Sequence, residues 1–243
     1  MELAYDGTIY HGWQRQPNAI SVQEVLEKSL STLLKKETPI VGAGRTDTGV
    51  HAKQIMAHFD VDSKVDEVQL RYKLNAILPP QISIAKVSLM KDDAHARFDA
   101  TSRSYQYHIA LEKDPFLIEK AYYLKRELDV SAMNEAAKLL LNYTNFKCFS
   151  KTKTDVKTYN CTITEAYWEV VNNQLVFTIS ANRFLRNMVR AIVGTLVEIG
   201  QHKITVADLD GIIKSEDRGR AGYSVPAHGL YLTSVAYPKH IYI

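Results

Sequence analysis

The stretch of the chain with the clearest chemical potential is Gly42–Ala52, GAGRTDTGVHA, where small residues frame one arginine and one aspartate. Gly44 and Gly49 allow tight backbone turns on either side of the segment RTDT. If that segment is extended, residues two apart face the same way, so Arg45 and Asp47 share a common space. Because a neighbouring positive charge favours the ionised form of a carboxylate, the pattern indicates a nucleophile or a base. An ordinary loop ion pair has the same pattern.

Other groups with catalytic or binding potential are weaker candidates. His51 and His58 are seven residues apart on a segment expected to be extended, which places them on opposite faces and does not favour a metal site. The glycines at 42 and 44 lack the spacing of a phosphate-binding loop. No serine or cysteine lies in a nucleophile-elbow pattern, so acyl transfer has no support. These patterns therefore favour neither a metal site nor a nucleotide-binding loop.

Composition and charge describe an ordinary globular chain. Its 243 residues are 46% hydrophobic and 23% charged, and the formal net charge of +3 permits a polyanionic partner without requiring one. Two cysteines are too few for a disulfide framework. No apolar run is long enough to cross a membrane, and the beginning of the chain lacks the apolar region of a signal peptide. We expect a soluble, cytoplasmic protein.

Hydrophobic periodicity divides the first part of the chain into alternating strands and helices. A capping box, Ser21 with Glu24, predicts the start of a helix. The further predicted elements are a strand over PIVGAG, a half-buried strand over Gln54–Asp62, a helix over Asp66–Ile77 that ends before two prolines, and a strand from Ile82.

The second part of the chain continues the same alternation. It begins with a predicted strand over Ser104–Leu111, a helix from Asp129 or Ser131 to about Leu141, and a mobile basic loop over Lys147–Asn160. Two strands follow, over Ile163–Val171 and Gln174–Ala181, joined by an Asn-Asn turn. The last predicted elements are a helix over Phe184–Ile199 closed by Gly200, a helix over Thr205–Lys214 and a strand over Gly229–Tyr237. The fold class is therefore α+β, with halves 1–98 and 99–243.

A cationic face is predicted on the helix that starts near Arg183. Its apolar residues gather on one side, while Arg183, Arg186 and Arg190 gather near the other. This is either a solvated edge or, together with neighbouring basic residues, a surface for nucleic acid. Those neighbours are Lys147, Lys151, Lys153, Lys157, Arg97 and Arg103.

Two tyrosines two positions apart, Tyr105 and Tyr107, share one face of a predicted strand. One of them can belong to the core, while the other stacks on a nucleobase or accepts a proton.

Several of these stretches resemble one known family. GRTDTGVHA closely resembles the signature of the tRNA pseudouridine synthase A family, which usually has alanine where Thr48 stands. Further blocks are similar to that family in the same order along the chain: YDGTIYHGWQRQP, VQEVLEKSL, LNAILP, HARFDA, SYQY, NRFLRNMVRAIVG and AHGLYL. The chain begins close to the YDG motif, so the family's first strand is expected to be shortened.

The resemblance implies an enzyme, an isomerase of the intramolecular transferase class, that converts uridine to pseudouridine at positions 38–40 in the anticodon arm of tRNA without a metal or cofactor. It implies that Asp47 is the essential aspartate and that Tyr105 stacks on the target base or accepts a proton. It further implies that Arg190 pairs with the aspartate, that Leu230 is the apolar wall of the pocket, and that Arg45 helps to displace the base. Arg97, Arg183, Arg186 and Tyr107 complete the expected substrate-binding set.

Fold and assembly are implied in the same way. The family has two ferredoxin-like, RRM-like halves whose antiparallel sheets join across a central cleft, and it acts as a homodimer on tRNA. The derived strand and helix order is compatible with this arrangement. Without the resemblance, the residues leave open a non-catalytic RRM-like RNA-binding module, with the two tyrosines as stacking residues. A glycosidase is a weaker alternative, because that chemistry normally uses two facing carboxylates.

Overall fold

The structure is a computed structural model that describes residues 1–152 and 156–243. The chain divides into two compact units, one formed by Met1–Ser102 with Tyr231–Ile243 and the other by Arg103–Leu230. No helix in the described part of the chain is long and apolar enough to cross a membrane.

Five helices and nine strands are assigned among the described residues. In chain order they are β1 (Glu2–Tyr5), α1 (Val22–Leu34), β2 (Val41–Gly42), β3 (His51–His58), α2 (Glu67–Ile77), β4 (Ile82–Lys86), β5 (Ser102–Ala110), β6 (Tyr122–Tyr123), α3 (Val130–Leu139), β7 (Ile163–Val171), β8 (Gln174–Ala181), α4 (Met188–Gly200), α5 (Val206–Lys214) and β9 (Leu230–Ala236). The strand pairs are mostly antiparallel, so the predicted α+β class is confirmed. The ferredoxin-like arrangement and the 1–98 and 99–243 halves stay predictions.

In the first unit, β1 lies between β3 and β4 and pairs antiparallel with both. On its other side β3 pairs parallel with β9, and His51 lies opposite Tyr231 there. Helix α1 begins as predicted, because the Ser21 side chain accepts a hydrogen bond from the Glu24 N–H. The Glu24 carboxylate, however, pairs with Lys28 at 2.8 Å. Burial of Val22, Leu26 and Leu30 on the apolar face of α1 stabilises the unit.

Strand β3 begins and ends earlier than the predicted Gln54–Asp62. The inward residues Ile55 and Ala57 are buried as the alternation predicted, but Val61 is exposed. The strand stops at His58, which pairs with Val41 at the first residue of β2. A strand needs a paired neighbour, and the register to β1 and β2 does not reach beyond this residue.

In the second unit, β8 pairs antiparallel with both β5 and β7, and β6 pairs parallel with β5. The β7–β8 hairpin has the predicted bounds. Asn172 and Asn173 both adopt positive φ, 48° and 61°, as the tight turn requires. Helix α3 starts after Asp129, whose side chain accepts the Ala132 N–H, and α5 starts with a capping box formed by Thr205 and Asp208.

Helix α4 corrects two predictions. It begins at Met188, after Asn187 in the left-handed region (φ 67°), so Arg183 and Arg186 precede the helix instead of lying on it. Eleven of its thirteen residues are buried, and only Arg190 and Glu198 are half-buried. The predicted division into an apolar and a cationic face is therefore wrong, because protein packs around the whole helix. The left-handed residue after its end is His202, not Gly200.

The predicted basic loop Lys147–Asn160 is partly core. Lys147–Phe149 forms a short 3₁₀ turn in which Cys148 and Phe149 are buried. Burial also raises the pKa of the Cys148 thiol to about 12. Lys153, one of the predicted cations, lies outside the described residues.

Candidate active site

Asp47 lies in the irregular segment between β2 and β3, within the first unit. Its side chain is half-buried, while Arg45 is exposed. The backbone carbonyl of Asp47 accepts a hydrogen bond from the Val50 N–H at 3.2 Å, and Gly49 between them has φ 78°. The predicted glycine-dependent turn after Asp47 is thus confirmed. The backbone also bends at Ala43 and Gly44, as predicted, but Gly44 does not adopt a positive φ, so this bend does not need the left-handed freedom of glycine.

Two glycines of the YDGTIYHGW stretch lie against the backbone of this segment. Gly12, with φ 83°, is so close that an added Cβ would lie 2.4 Å from the carbonyl oxygen of Thr46. An added Cβ on Gly7 would lie 2.0 Å from the carbonyl oxygen of Val50. Only glycine allows such an approach, so the backbone is supported on both sides of Asp47.

Hydrogen bonds from the same stretch add to this support. The Trp13 N–H donates to the Thr46 carbonyl at 3.2 Å, and the Gly49 N–H donates to the Tyr10 carbonyl at 3.4 Å. The hydroxyls of Tyr5 and Thr46 are 2.8 Å apart. Sequence reasoning used the YDG stretch for resemblance alone and missed this role. In the sequence, two glycines close to several aromatic residues were the signal that could have indicated this supporting role.

Arg97 belongs to the first unit and lies in a loop built by its own neighbours. The His95 Nδ1 atom accepts the N–H groups of Arg97 and Phe98 at 3.1 and 3.2 Å, and the Asp99 carboxylate accepts the His95 N–H at 2.6 Å. The Arg97 guanidinium is exposed and lies 5.8 Å from the centre of the exposed Phe98 ring. A cation held over an exposed aromatic ring is compatible with RNA contact.

In the second unit, the structure distinguishes the two tyrosines of SYQY. Tyr105 is half-buried on β5, and its ring meets Phe184 edge-on at 5.1 Å. Tyr107 is completely buried, and its hydroxyl donates to the Pro226 carbonyl at 2.9 Å. Burial raises the pKa of Tyr107 far above its ordinary value, against the opposing charge of Arg190. The expectation that Tyr107 binds substrate is therefore wrong, because a fully buried ring has no face for a base. Tyr105 is the accessible member.

Arg190 is held by the segment that precedes β9. Its Nε donates to the Val225 carbonyl at 2.7 Å, and the Val225 N–H donates to the Arg190 carbonyl at 3.3 Å. These two bonds fix both the backbone and the side-chain direction of Arg190. A guanidinium with one fixed edge presents its charge in a defined direction.

Arg218 organises the same segment and was missed by sequence reasoning. Its guanidinium donates to the carbonyls of Ala221 and Gly222 at 3.2 and 3.0 Å and to the Ser224 hydroxyl at 3.0 Å. Asn187, the residue before α4, also donates to Ser224, at 2.6 Å. Arg218 therefore connects the segment to the start of the helix that carries Arg190. The sequence contains no specific signal for this, since RGR resembles any basic turn.

The remaining predicted residues have separate environments. Arg183 donates weakly to the Thr158 carbonyl at 3.4 Å. Arg186 is exposed, and its carbonyl accepts the Lys151 N–H at 3.0 Å. Leu230 is a buried apolar residue at the start of β9.

Of the nine predicted site residues, three belong to the first unit and six to the second. The first unit contains Arg45, Asp47 and Arg97; the second contains Tyr105, Tyr107, Arg183, Arg186, Arg190 and Leu230. Within the described ranges, no three His, Cys, Asp or Glu side chains gather as a possible metal site. Apart from Tyr107, the assigned roles stay predictions.

The amino-acid sequence of the chain is similar to known proteins of one family. A family model described as tRNA pseudouridine synthase matches residues 3–99 and 136–238. The chain is 51% identical over 243 residues to tRNA pseudouridine synthase A of Bacteroides thetaiotaomicron, with 99% of this chain and 90% of the relative covered. It is 52% identical to the protein of that name from Bacteroides fragilis, with 99% and 96% covered. It is 38% identical to that of Bacillus subtilis, with 97% of each covered.

The motif blocks, the glycine-supported aspartate loop and these near-full-length matches agree with one another, and the chain belongs to the tRNA pseudouridine synthase family.

Proposed function

We propose that the protein isomerises uridine to pseudouridine in the anticodon arm of tRNA, with Asp47 as its catalytic carboxylate. The observation that carries this proposal is the aspartate of GRTDTGVHA, which lies half-buried in a loop supported by Gly12 and Trp13. The isomerase activity follows from the family. The anticodon arm follows from the resemblance of the motifs.

The reaction rearranges bonds within one nucleotide. The bond from ribose C1′ to base N1 breaks, the base turns over, and C1′ joins C5. Because no atom or electron is gained or lost overall, the stoichiometry requires no cofactor. The glycosidic bond is inaccessible within a stacked helix, so the uridine has to leave the stack and be held by an aromatic or apolar surface.

Each proposed residue has a chemical task. The Asp47 carboxylate attacks C1′, adds to C6 or removes a 2′ hydrogen; each of these uses an ionised oxygen. Tyr105, whose ring is half-exposed, stacks on the base or accepts a proton. Arg190 supplies a positively charged group with a fixed direction. Leu230 supplies an apolar surface.

Binding of the tRNA is assigned to the cations outside this set. Arg45, Arg97 and Arg186 are exposed, and Arg183 is half-buried. Guanidinium groups suit phosphate, because they donate two hydrogen bonds in one plane. We propose that the protein acts in the cytoplasm and as a homodimer, as its family resemblance implies.

The decisive experiment treats an unmodified tRNA transcript with purified protein and maps pseudouridine by mass spectrometry after base-specific digestion. We expect pseudouridine in the anticodon arm. Asp47→Asn should lower the rate by at least about 100-fold, because a neutral amide neither attacks nor accepts a proton efficiently. Its affinity for tRNA should stay close to that of the wild type.

Glu37→Gln, which neutralises an exposed carboxylate elsewhere in the first unit, is the matched control and should keep full activity. An unchanged nucleoside profile with the wild-type protein, combined with tight tRNA binding, would favour the non-catalytic RNA-binding module instead. If the Asp47→Asn variant formed pseudouridine in tRNA at the wild-type rate, Asp47 would not be the catalytic carboxylate.

A further inference from the structure

A buried histidine lies four residues after Asp47. His51 is the first residue of β3 and is only 2% exposed. Its Nδ1 atom lies 3.1 Å from the backbone nitrogen of Gly7 and 3.1 Å from the Oδ1 atom of Asp6. Its ring stacks on Tyr231 of β9, with centroids 4.6 Å apart and planes 21° apart. Strand pairing and stacking thus hold this imidazole in place.

One ring nitrogen cannot serve both neighbours at once. When Nδ1 carries no proton, it accepts the hydrogen bond from the Gly7 N–H; when Nδ1 is protonated, it donates to the Asp6 carboxylate. The same carboxylate oxygen of Asp6 accepts hydrogen bonds from the Thr8 N–H at 3.1 Å and the Thr8 hydroxyl at 2.6 Å. Asp6 therefore has donors from Thr8 in either state, whereas the buried Gly7 N–H gains the bond to His51 only in the unprotonated state.

Two short contacts connect Gly7, the partner of His51, with the backbone that carries Asp47. The Gly7 backbone lies against the Val50 carbonyl so closely that a Cβ on Gly7 would lie 2.0 Å from its oxygen. The Val50 N–H in turn donates to the Asp47 carbonyl. A shift of the Gly7 turn away from His51 would release the backbone that carries Asp47.

We propose that His51 and Asp6 are positioning residues for Asp47: unprotonated His51 holds the Gly7 turn against Val50, and protonation transfers its Nδ1 bond to Asp6. This inference rests on the proposed function, because it concerns the geometry of the same catalytic carboxylate. His51 and Asp6 do not themselves contact the reacting atoms in this scheme.

Titratable groups from two other segments of the first unit face His51. Asp6 faces Nδ1, and Tyr231 faces the ring. Burial, with the Asp6 charge, raises the pKa of Tyr231 to about 12, so Tyr231 stays neutral at working pH. The Lys53 ammonium lies 5.3 Å from the centre of the Tyr231 ring. Burial and Asp6 also raise the pKa of Tyr10.

The test uses the full-length protein, an unmodified tRNA transcript, and variants that separate the two nitrogens of the ring. In His51→Asn the amide oxygen occupies the place of Nδ1 and can still accept the Gly7 N–H. In His51→Gln the amide lies near the place of Nε2, and that acceptor is lost. Single-turnover rates, tRNA affinity and the pH dependence of the rate are measured for each variant, with the exposed His240→Gln as control.

We expect His51→Gln to lower the maximal rate by about 10- to 100-fold, as a displaced catalytic group does, with tRNA affinity little changed. We expect the wild-type rate to fall on the acidic side, where His51 becomes protonated. His51→Asn should recover most of the rate lost in His51→Gln and should not show this fall. Asp6→Asn removes the charge that favours the protonated ring, so its acidic fall should move to lower pH.

Equal losses in His51→Asn and His51→Gln, or an acidic fall unchanged in both His51→Asn and Asp6→Asn, would overturn the proposal. If His51→Gln fails to fold, the Asp6→Asn pH profile still decides, since the Asp6 side chain is partly exposed. A wild-type protein that forms no pseudouridine would defeat the proposed function instead, so the two failures are distinguishable.

Discussion

At the scale of single residues, Gly12 and Gly44 show that two glycines near one aspartate serve different purposes. Gly12 needs both its positive φ and its missing side chain, because the Thr46 carbonyl lies against it. Gly44 has an ordinary φ, and no described atom lies within 4 Å of the place where a Cβ would be. The chain itself therefore does not explain glycine at position 44. We infer that glycine at this position leaves room for close approach of the RNA backbone.

This difference predicts opposite behaviour of two alanine variants. Gly12→Ala should destabilise the protein by more than about 1 kcal/mol, because both strain and overlap oppose it. Gly44→Ala should leave the melting temperature unchanged or slightly raised but lower kcat/KM for tRNA. Differential scanning calorimetry and steady-state kinetics measure the two effects. Full activity of Gly44→Ala would show that no substrate group approaches this position.

Residue roles were only partly predictable from the sequence. The pattern of SYQY predicted that two tyrosines share a face, but not that Tyr107 is sealed by Pro226 while Tyr105 remains half-exposed. The support of the aspartate loop by Gly7 and Gly12 arises between segments about 40 residues apart. Periodicity and local propensity describe neighbours along the chain, so such contacts are outside their reach.

At the scale of elements, the sequence was most informative where local chemistry decides. The β7–β8 hairpin was predicted correctly, because two asparagines accept the left-handed conformation that its turn needs. The start of α4 was predicted too early, since the apolar pattern continues through Phe184 and Leu185 before the helix begins. Asn187 adopts the left-handed conformation just before the helix, and its side chain donates to Ser224, a contact that no local pattern reveals.

The segment from Ala221 to Pro226 is the element that holds Arg190, and Arg218 is its main support. Lysine at 218 cannot reproduce three hydrogen bonds in the plane of a guanidinium. We expect Arg218→Lys to lower the free energy of unfolding by about 1–2 kcal/mol, since partly buried acceptors lose their partners. It should also lower kcat more than it weakens tRNA binding, because Arg190 loses its fixed direction.

Urea unfolding and single-turnover kinetics measure these two consequences for Arg218→Lys. The neighbouring Arg220→Lys changes an exposed guanidinium in the same turn and should leave both unchanged. If Arg218→Lys turned over at the wild-type rate despite a loss of stability, the segment would support the fold without orienting Arg190.

At the scale of the whole molecule, the net charge of +3 is too small to explain binding of a polyanion by itself. Affinity must then come from local groups of cations, and the structure does not place these on one helix face as the sequence predicted. Arg186 is exposed before α4, Arg97 is exposed in the first unit, and Arg183 contacts Thr158. These cations therefore lie in loops of the two units, and hydrophobic periodicity does not predict the side-chain directions of loop residues.

The salt dependence of tRNA affinity tests this distribution of cations. Each phosphate neutralised by the protein contributes about −0.7 to −0.9 to the slope of log K against log salt concentration. Arg186→Gln should therefore make the slope shallower by nearly one and weaken binding at low salt, with little effect on the single-turnover rate at saturating protein. Lys36→Gln, in which a lysine already paired with Asp62 at 2.5 Å is neutralised, is the matched control and should leave the slope unchanged. An equal change of slope in both variants would mean that affinity follows total charge, and the assignment of Arg186 to a phosphate contact would have to be withdrawn.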